Sequence, residues 1–189
     1  MKKPFVIAIA GCSGSGKSTL SAMLLKDLSD YKVELPATDK YFRRPLPKMI
    51  SPLSHEEYDD YNCPESLDFD SYYKDAQALC QREDLDIVIL EGLTVLYFEE
   101  LRLLEDLKIY IDLDPEIRMY RRIKRNMAAG RGTMDEIADF YLKSAKYSET
   151  KYFLPTKLEA DMVLNGHNFQ GKGKDIVETY VKTMLAARE

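Results

Sequence analysis

Residues 5–19 read FVIAIAGCSGSGKST. An apolar, β-prone run turns into Gly11-x-x-x-x-Gly16-Lys17-Ser18, and a helical pattern begins at once. Strand, glycine-rich turn and helix in this order form the setting that a phosphate-binding loop needs. Glycines let the backbone wrap closely enough for successive N–H groups to face phosphate oxygens, with the positive end of the next helix behind them. Gly11, Ser13, Gly14, Ser15, Gly16, Lys17, Ser18 and Thr19 are the expected nucleotide-binding set. Lys17 has the length to reach outer phosphates, and the Ser18 hydroxyl suits Mg²⁺.

Working outward, the remaining pattern supplies a sheet for this loop. The helix opened by Ser18 carries Leu20, Met23, Leu24 and Leu28 at three- and four-residue spacing and should end near Ser29 and Asp30. Short strands are predicted at 32–36, 87–90, 108–112 and 161–164, and helices at 67–80, from Pro115 with Asp114 as cap, at 134–152 and at 175–187. Residues 43–66 hold most of the prolines and show no period, so they read as a long irregular segment of functional use. Five short strands alternating with helices predict an α/β, P-loop NTPase three-layer sandwich: a parallel five-stranded sheet with helices on both faces. Ligands on such sheets bind beyond the carboxyl ends of the strands. Lys17, Asp39 and Glu91 all follow strands on that edge.

Composition narrows the partners. The chain has 189 residues, is 45% hydrophobic and carries a net charge of −5. It suits one α/β domain over 1–189 and is short for two. No global basic field is available for nucleic acid or an anionic membrane, so a small-molecule partner is expected and any polyanion must be gripped locally. The apolar part of MKKPFVIAIAG is short and runs straight into the loop without a cleavage site, and no run approaches a membrane span. Cys12, Cys63 and Cys80 lack metal-pair spacing and are odd in number, which fits reduced thiols in a cytoplasmic protein. Within the loop, Cys12 reads as a small filler in preference to a thiol activated by the helix end. His55 and His167 are too far apart for a metal site; His55 reads as a surface residue before a substrate contact. Oligomeric state is open, a homo-oligomer included.

Phosphoryl transfer needs the outgoing phosphate neutralised, an acceptor oxygen aligned and usually a base near its proton. Asp39 is the candidate base, at the head of the acceptor segment (about 39–70), beside Tyr41 and Phe42, whose rings could wall a pocket. Glu91 ends an apolar strand where a carboxylate can meet a metal ion. Between Arg118 and Arg131 six basic residues occur with no acidic one. Arg118, Arg122 and Arg125 share one helical face, an expected anion clamp, and Gly130 and Gly132 bracket Arg131 in a small arginine-rich lid (about 118–135) able to hinge. The motifs of guanine-nucleotide switches and the LSGGQ signature of transporter ATPases are missing from the sequence, which weighs against a switch or motor acting on a protein partner.

GCSGSGKST, TDKYF, LEGLTVL, LEDLKIYIDLDPEIRMYRRIKRN with RG after it, and YFLPTKLEADMVLNG together resemble the uridine kinase and phosphoribulokinase family of P-loop kinases over almost the whole chain. The resemblance implies ATP and Mg²⁺ as cofactors and transfer of the γ-phosphate to the 5′-hydroxyl of a nucleoside such as uridine or cytidine. It implies Asp39 as base with Lys17 and Arg122 as catalytic partners. Ser18 and Glu91 would hold Mg²⁺, Arg125 and Arg131 would close over ATP, and Phe42, Asn62 and Arg122 would meet the acceptor. Two departures stand out. The family's base-recognising hairpin before the EG strand is missing, since Leu79–Asp84 runs almost directly into that strand, and Asn62 replaces an Asp. Phe140 and Thr133 also stand where uridine kinases often have Gln and Arg. The segment around Asn62 is equally similar to that of nicotinamide riboside kinases, so a nicotinamide riboside kinase or another small sugar or vitamin alcohol kinase is the alternative.

Overall fold

The computed structural model describes residues 3–188. Strand β1 (Phe5–Ala10) is buried at every position, which explains why its sequence is uniformly apolar instead of alternating. Phe5, Ile7 and Ile9 pack on one face with Leu20 and Leu24 of helix α1 (Lys17–Asp27), while Val6, Ala8 and Ala10 face the opposite side.

Strand β2 (Val33–Glu34) and a 3₁₀ turn (Thr38–Tyr41) lead to an antiparallel pair, β3 (Lys48–Ile50) and β4 (Glu57–Asp59). Helix α2 (Phe69–Leu79), strand β5 (Ile87–Glu91), the short helix α3 (Glu99–Arg102) and strand β6 (Leu107–Asp112) follow. Helix α4 (Pro115–Ala128) and helix α5 (Met134–Phe140) precede a helical stretch in which π-type turns at Tyr141–Ala145 and Glu149–Phe153 flank α6 (Lys146–Ser148). Strand β7 (Met162–Asn165) and helix α7 (Lys172–Ala186) complete the described chain.

The main sheet is five-stranded and parallel in the order β2-β5-β1-β6-β7. One face is closed by α1 and α7, through Leu24, Val177 and Val181; the other is closed by α2 and α3, through Tyr72, Ala76 and Leu101. This is the three-layer α/β arrangement that the sequence predicts. All five strands end on one edge, which therefore gathers the phosphate loop, the turn after β2, Glu91 and the start of α4.

Three local expectations change. The segment 43–66 is not irregular throughout: it contains the β3–β4 pair, whose Lys48 bridges Asp59 at 2.7 Å. The helix expected at 134–152 is broken into α-type and π-type turns. Asp114 stands at the N-cap position of α4 without a capping hydrogen bond, because its Oδ2 lies 3.2 Å from His167 Nε2.

Candidate active site

The phosphate loop depends on glycine conformations that other residues rarely adopt: φ is 141° at Gly11, 85° at Gly14 and 113° at Gly16. A Cβ on Gly14 would lie 2.6 Å from the Arg118 carbonyl oxygen, so the loop rests directly on the first turn of α4. Arg121 fastens the arrangement from the other side, donating to the Gly166 carbonyl at 3.3 Å and the Ser15 carbonyl at 3.5 Å.

Within this loop Lys17 Nζ donates to the Cys12 carbonyl at 3.4 Å. Burial pushes its ammonium below the ordinary lysine range, against the pull of Glu91. Ser18 and Glu91 meet: the Ser18 hydroxyl donates to Glu91 Oε1 at 2.7 Å. Two hard oxygen donors side by side, next to a phosphate loop, fit Mg²⁺, which binds through one or two protein oxygens and completes its shell with phosphates and water. Among the described residues there is no cluster of three or more His, Cys, Asp or Glu able to hold a metal alone.

Asp39 lies exposed in the 3₁₀ turn after β2. Its carboxylate caps nothing and has no hydrogen bond or ion pair among the described residues. Thr38 beside it is near Gly92, where an added Cβ would be 3.9 Å from Thr38 Cγ2, so this turn borders the Glu91 strand end. Phe42 packs edge-on against Tyr61 with ring centroids 5.9 Å apart. Tyr41 takes a different course: its ring is buried on Tyr72, and its hydroxyl donates to Asp75 Oδ2 at 2.7 Å. It anchors the turn to α2, and its hydroxyl is committed there.

The arginines divide. Arg118 is buried, donates through Nε to the Leu113 carbonyl at 3.0 Å, and pairs through Nη1 with the buried Glu149. It is therefore not part of a free anion clamp, contrary to the helical-face reading. Burial opposes its charge, yet the Glu149 carboxylate beside it holds the guanidinium firmly protonated. Arg122 Nε is buried without a partner among the described residues, and the guanidinium lies 5.4 Å over the Phe140 ring. Burial also pulls its pKa below the ordinary guanidinium range. Arg125 reaches the loop, donating to Ser13 Oγ at 3.4 Å. Arg131 is exposed between Gly130 and Gly132 and makes no side-chain hydrogen bond among the described residues.

Asn62 is buried; its backbone N–H donates to Asp60 Oδ1 at 2.8 Å, while its side-chain Nδ2 has no partner among the described residues. The Tyr141 hydroxyl is likewise buried and unpartnered. Unsatisfied buried polar atoms are costly unless a ligand or water completes them. Glu149, Ser148 and Tyr141 escaped sequence reasoning, since they carry no motif and only the fold brings them to this edge. Cys12 is buried, and its thiol is pushed up to about 11 by that burial and by Glu149. The filler reading suits it. All three cysteines are free and buried.

A sheet of this order with a glycine loop after its first strand defines a P-loop fold. The model of the "Phosphoribulokinase / Uridine kinase family" matches residues 68–170. The chain is 30% identical over 209 aligned positions to a uridine kinase of Lactococcus lactis subsp. cremoris (strain MG1363), spanning 98% of this chain and 99% of that protein. The 209 positions exceed the 189 residues here, so that relative carries positions without a counterpart in this chain. The fold is shared with a Bacillus stearothermophilus structure described as a possible uridine kinase (TM-score 0.57, 18% identity, 87% of this chain and 90% of that one). It is also shared with shikimate kinase of Bacteroides thetaiotaomicron (TM-score 0.53, 14% identity, 97% of each chain). The chain belongs to the phosphoribulokinase / uridine kinase family.

Proposed function

We propose that this protein is an ATP-dependent kinase that transfers the γ-phosphate of ATP to the 5′-hydroxyl of a nucleoside, uridine or cytidine first. The observation that carries this reading is the meeting of three groups on one sheet edge: the glycine loop with Lys17, the Ser18–Glu91 pair, and the unpartnered Asp39. A switch or motor needs no free carboxylate to serve as base; a kinase with an alcohol acceptor does.

The loop N–H groups and Lys17 hold the outer phosphates, with Arg125 reaching over the loop. Ser18 and Glu91 would hold Mg²⁺, which would offset charge on the phosphates. Asp39 accepts the proton of the attacking hydroxyl as the new O–P bond forms and the bond from the γ-phosphorus to the departing ADP oxygen breaks. Arg122, through its Nε, and Asn62, through its Nδ2, are the residues proposed to meet the acceptor, each atom being without a partner among the described residues. Arg131 joins only when the segment from Gly130 to Gly132 moves.

Nicotinamide riboside is the second reading, favoured by one observation: α2 ends at Leu79 and β5 begins at Ile87, which leaves no room for a base-recognising hairpin between them. The test is a panel of uridine, cytidine and nicotinamide riboside with MgATP, read by phosphate transfer. One of them should raise ATP turnover at least 100-fold over the acceptor-free rate. No stimulation by any of the three would overturn the nucleoside assignment.

A further inference from the structure

Two neighbouring residues, Ser148 and Glu149, bind the two halves of the proposed site at once. Glu149 is 1% exposed, and its carboxylate is fully used: Oε1 accepts the Ser13 N–H of the phosphate loop at 3.0 Å, and Oε2 accepts Arg118 Nη1 of α4. Ser148 is also buried and donates to Asp60 Oδ2 at 2.7 Å, while Asp60 Oδ1 accepts the Asn62 N–H. The β3–β4 pair leans on the same place through Met49, whose sulfur is 3.0 Å from Ser144 Oγ. Consecutive side chains on a regular helix diverge by about 100°. Here the change from α-type to π-type turns falls at this dipeptide, with Ser148 ending α6 and Glu149 opening the next turn. Such π-type irregularities are frequent at functional sites.

Resting on the kinase reading above, we infer that the Ser148–Glu149 dipeptide is a strut that sets the acceptor segment against the phosphate loop, so that nucleotide and acceptor occupancy are coupled through it. Both are positioning residues. The Glu149 carboxylate takes up a loop N–H that lies beside the phosphate cradle, so polyphosphate arriving there competes with or repels it. Any shift of Glu149 is transmitted through one peptide unit to Ser148, and from there to the carboxylate that fixes the backbone of Asn62. The links consist of buried, charge-assisted hydrogen bonds, which break in discrete steps instead of yielding gradually.

The test uses the full chain with MgADP as probe and amide hydrogen exchange as readout. In the wild type, MgADP should slow exchange over residues 57–66 at least fivefold. In Ser148→Ala the protection over 57–66 should vanish, while MgADP affinity by calorimetry stays within about threefold. With the acceptor that succeeds in the panel, Ser148→Ala should raise acceptor KM about tenfold and leave kcat within twofold; Ser148→Thr, which keeps the hydroxyl, should recover most of that loss. Glu149→Gln can destabilise the fold, so Ser148 carries the test. Equal MgADP protection in wild type and Ser148→Ala, or no protection in the wild type despite MgADP binding, would overturn the strut. Absence of MgADP binding would instead remove the nucleotide reading beneath it.

Discussion

Asp39 and Cys12 show how surroundings decide what a reactive side chain can do. Asp39 is exposed and has no partner in the described chain, so its removal should cost chemistry and little else. Asp39→Asn is expected to lower kcat at least 1,000-fold while MgATP affinity, measured by calorimetry, changes less than twofold; lost nucleotide binding would mark the residue as structural. Cys12 sits at the opposite extreme. The helix end, Lys17 and Arg118 favour its thiolate, but burial and the Glu149 charge win, and its pKa rises to about 11. Burial likewise lifts Cys63 and Cys80 to about 12 each. At pH 8 the thiolate fraction is then ~10⁻³ or less. None of the three should react within minutes with an aromatic disulfide reagent in the native protein, and all three should react in urea. Rapid native reaction of one thiol would contradict this burial order. Arg118 shows where a residue's role was hidden from the sequence. Helical periodicity correctly places it on the face of Arg122 and Arg125, but whether that arginine meets a ligand or the core depends on Glu149, 31 residues later.

The elements on the sheet edge were largely legible because each has a local cause. The fully apolar β1 and β5, the glycine loop, and Pro115 at the start of α4 are all written in short stretches of sequence. What was missed has non-local causes. The strands β3 and β4 have three residues each and their outer positions are exposed, so no hydrophobic period marks them; their tie to the rest of the fold is non-local, from Met49 to Ser144 and from Asp60, just past β4, to Ser148. Contact between loop and helix is also an element-scale property, and Gly14 tests it. An alanine there would have to adopt φ 85° and bring its Cβ within 2.6 Å of the Arg118 carbonyl, a backbone atom that cannot swing aside. Gly14→Ala should lose roughly 2 kcal/mol or more in urea unfolding and at least tenfold in MgADP affinity. Gly130, with φ 65° and no heavy atom within 4 Å of an added Cβ, provides the comparison. Gly130→Asn, a residue that tolerates this conformation, should cost less than ~1 kcal/mol. A loss at Gly14→Ala no larger than at Gly130→Asn would show that the contact of loop on helix adds nothing to the cost.

Across the whole molecule, the chemistry sits at the carboxyl ends of the strands and one conspicuous electrostatic cost sits at the other end. Glu105 precedes β6 and is buried, and neither carboxylate oxygen has a hydrogen-bond partner among the described residues. The nearby Tyr72 hydroxyl, whose own pKa Glu105 helps to raise, is also buried without a partner among the described residues. Burial raises the Glu105 carboxyl from 4.5 to about 8, opposed weakly by Lys108 and Arg102. The folded state therefore keeps a proton that the unfolded chain gives up above pH 4.5. Stability from this group is complete below pH 4.5, falls as pH rises toward 8 and levels off above it, with a slope of about 1.4 kcal/mol per pH unit in between. Glu105→Gln removes the ionisation and keeps the shape. Urea unfolding at pH 5, 6.5 and 8 should show the variant gaining on the wild type as pH rises, by a margin of ~2 kcal/mol or more between the first and last points after allowance for solvent relaxation. MgADP affinity of Glu105→Gln should stay within twofold of wild type, because the phosphate loop lies across the sheet at the opposite strand ends. A stability difference that does not change with pH would show that Glu105 is already neutralised by a partner or by water.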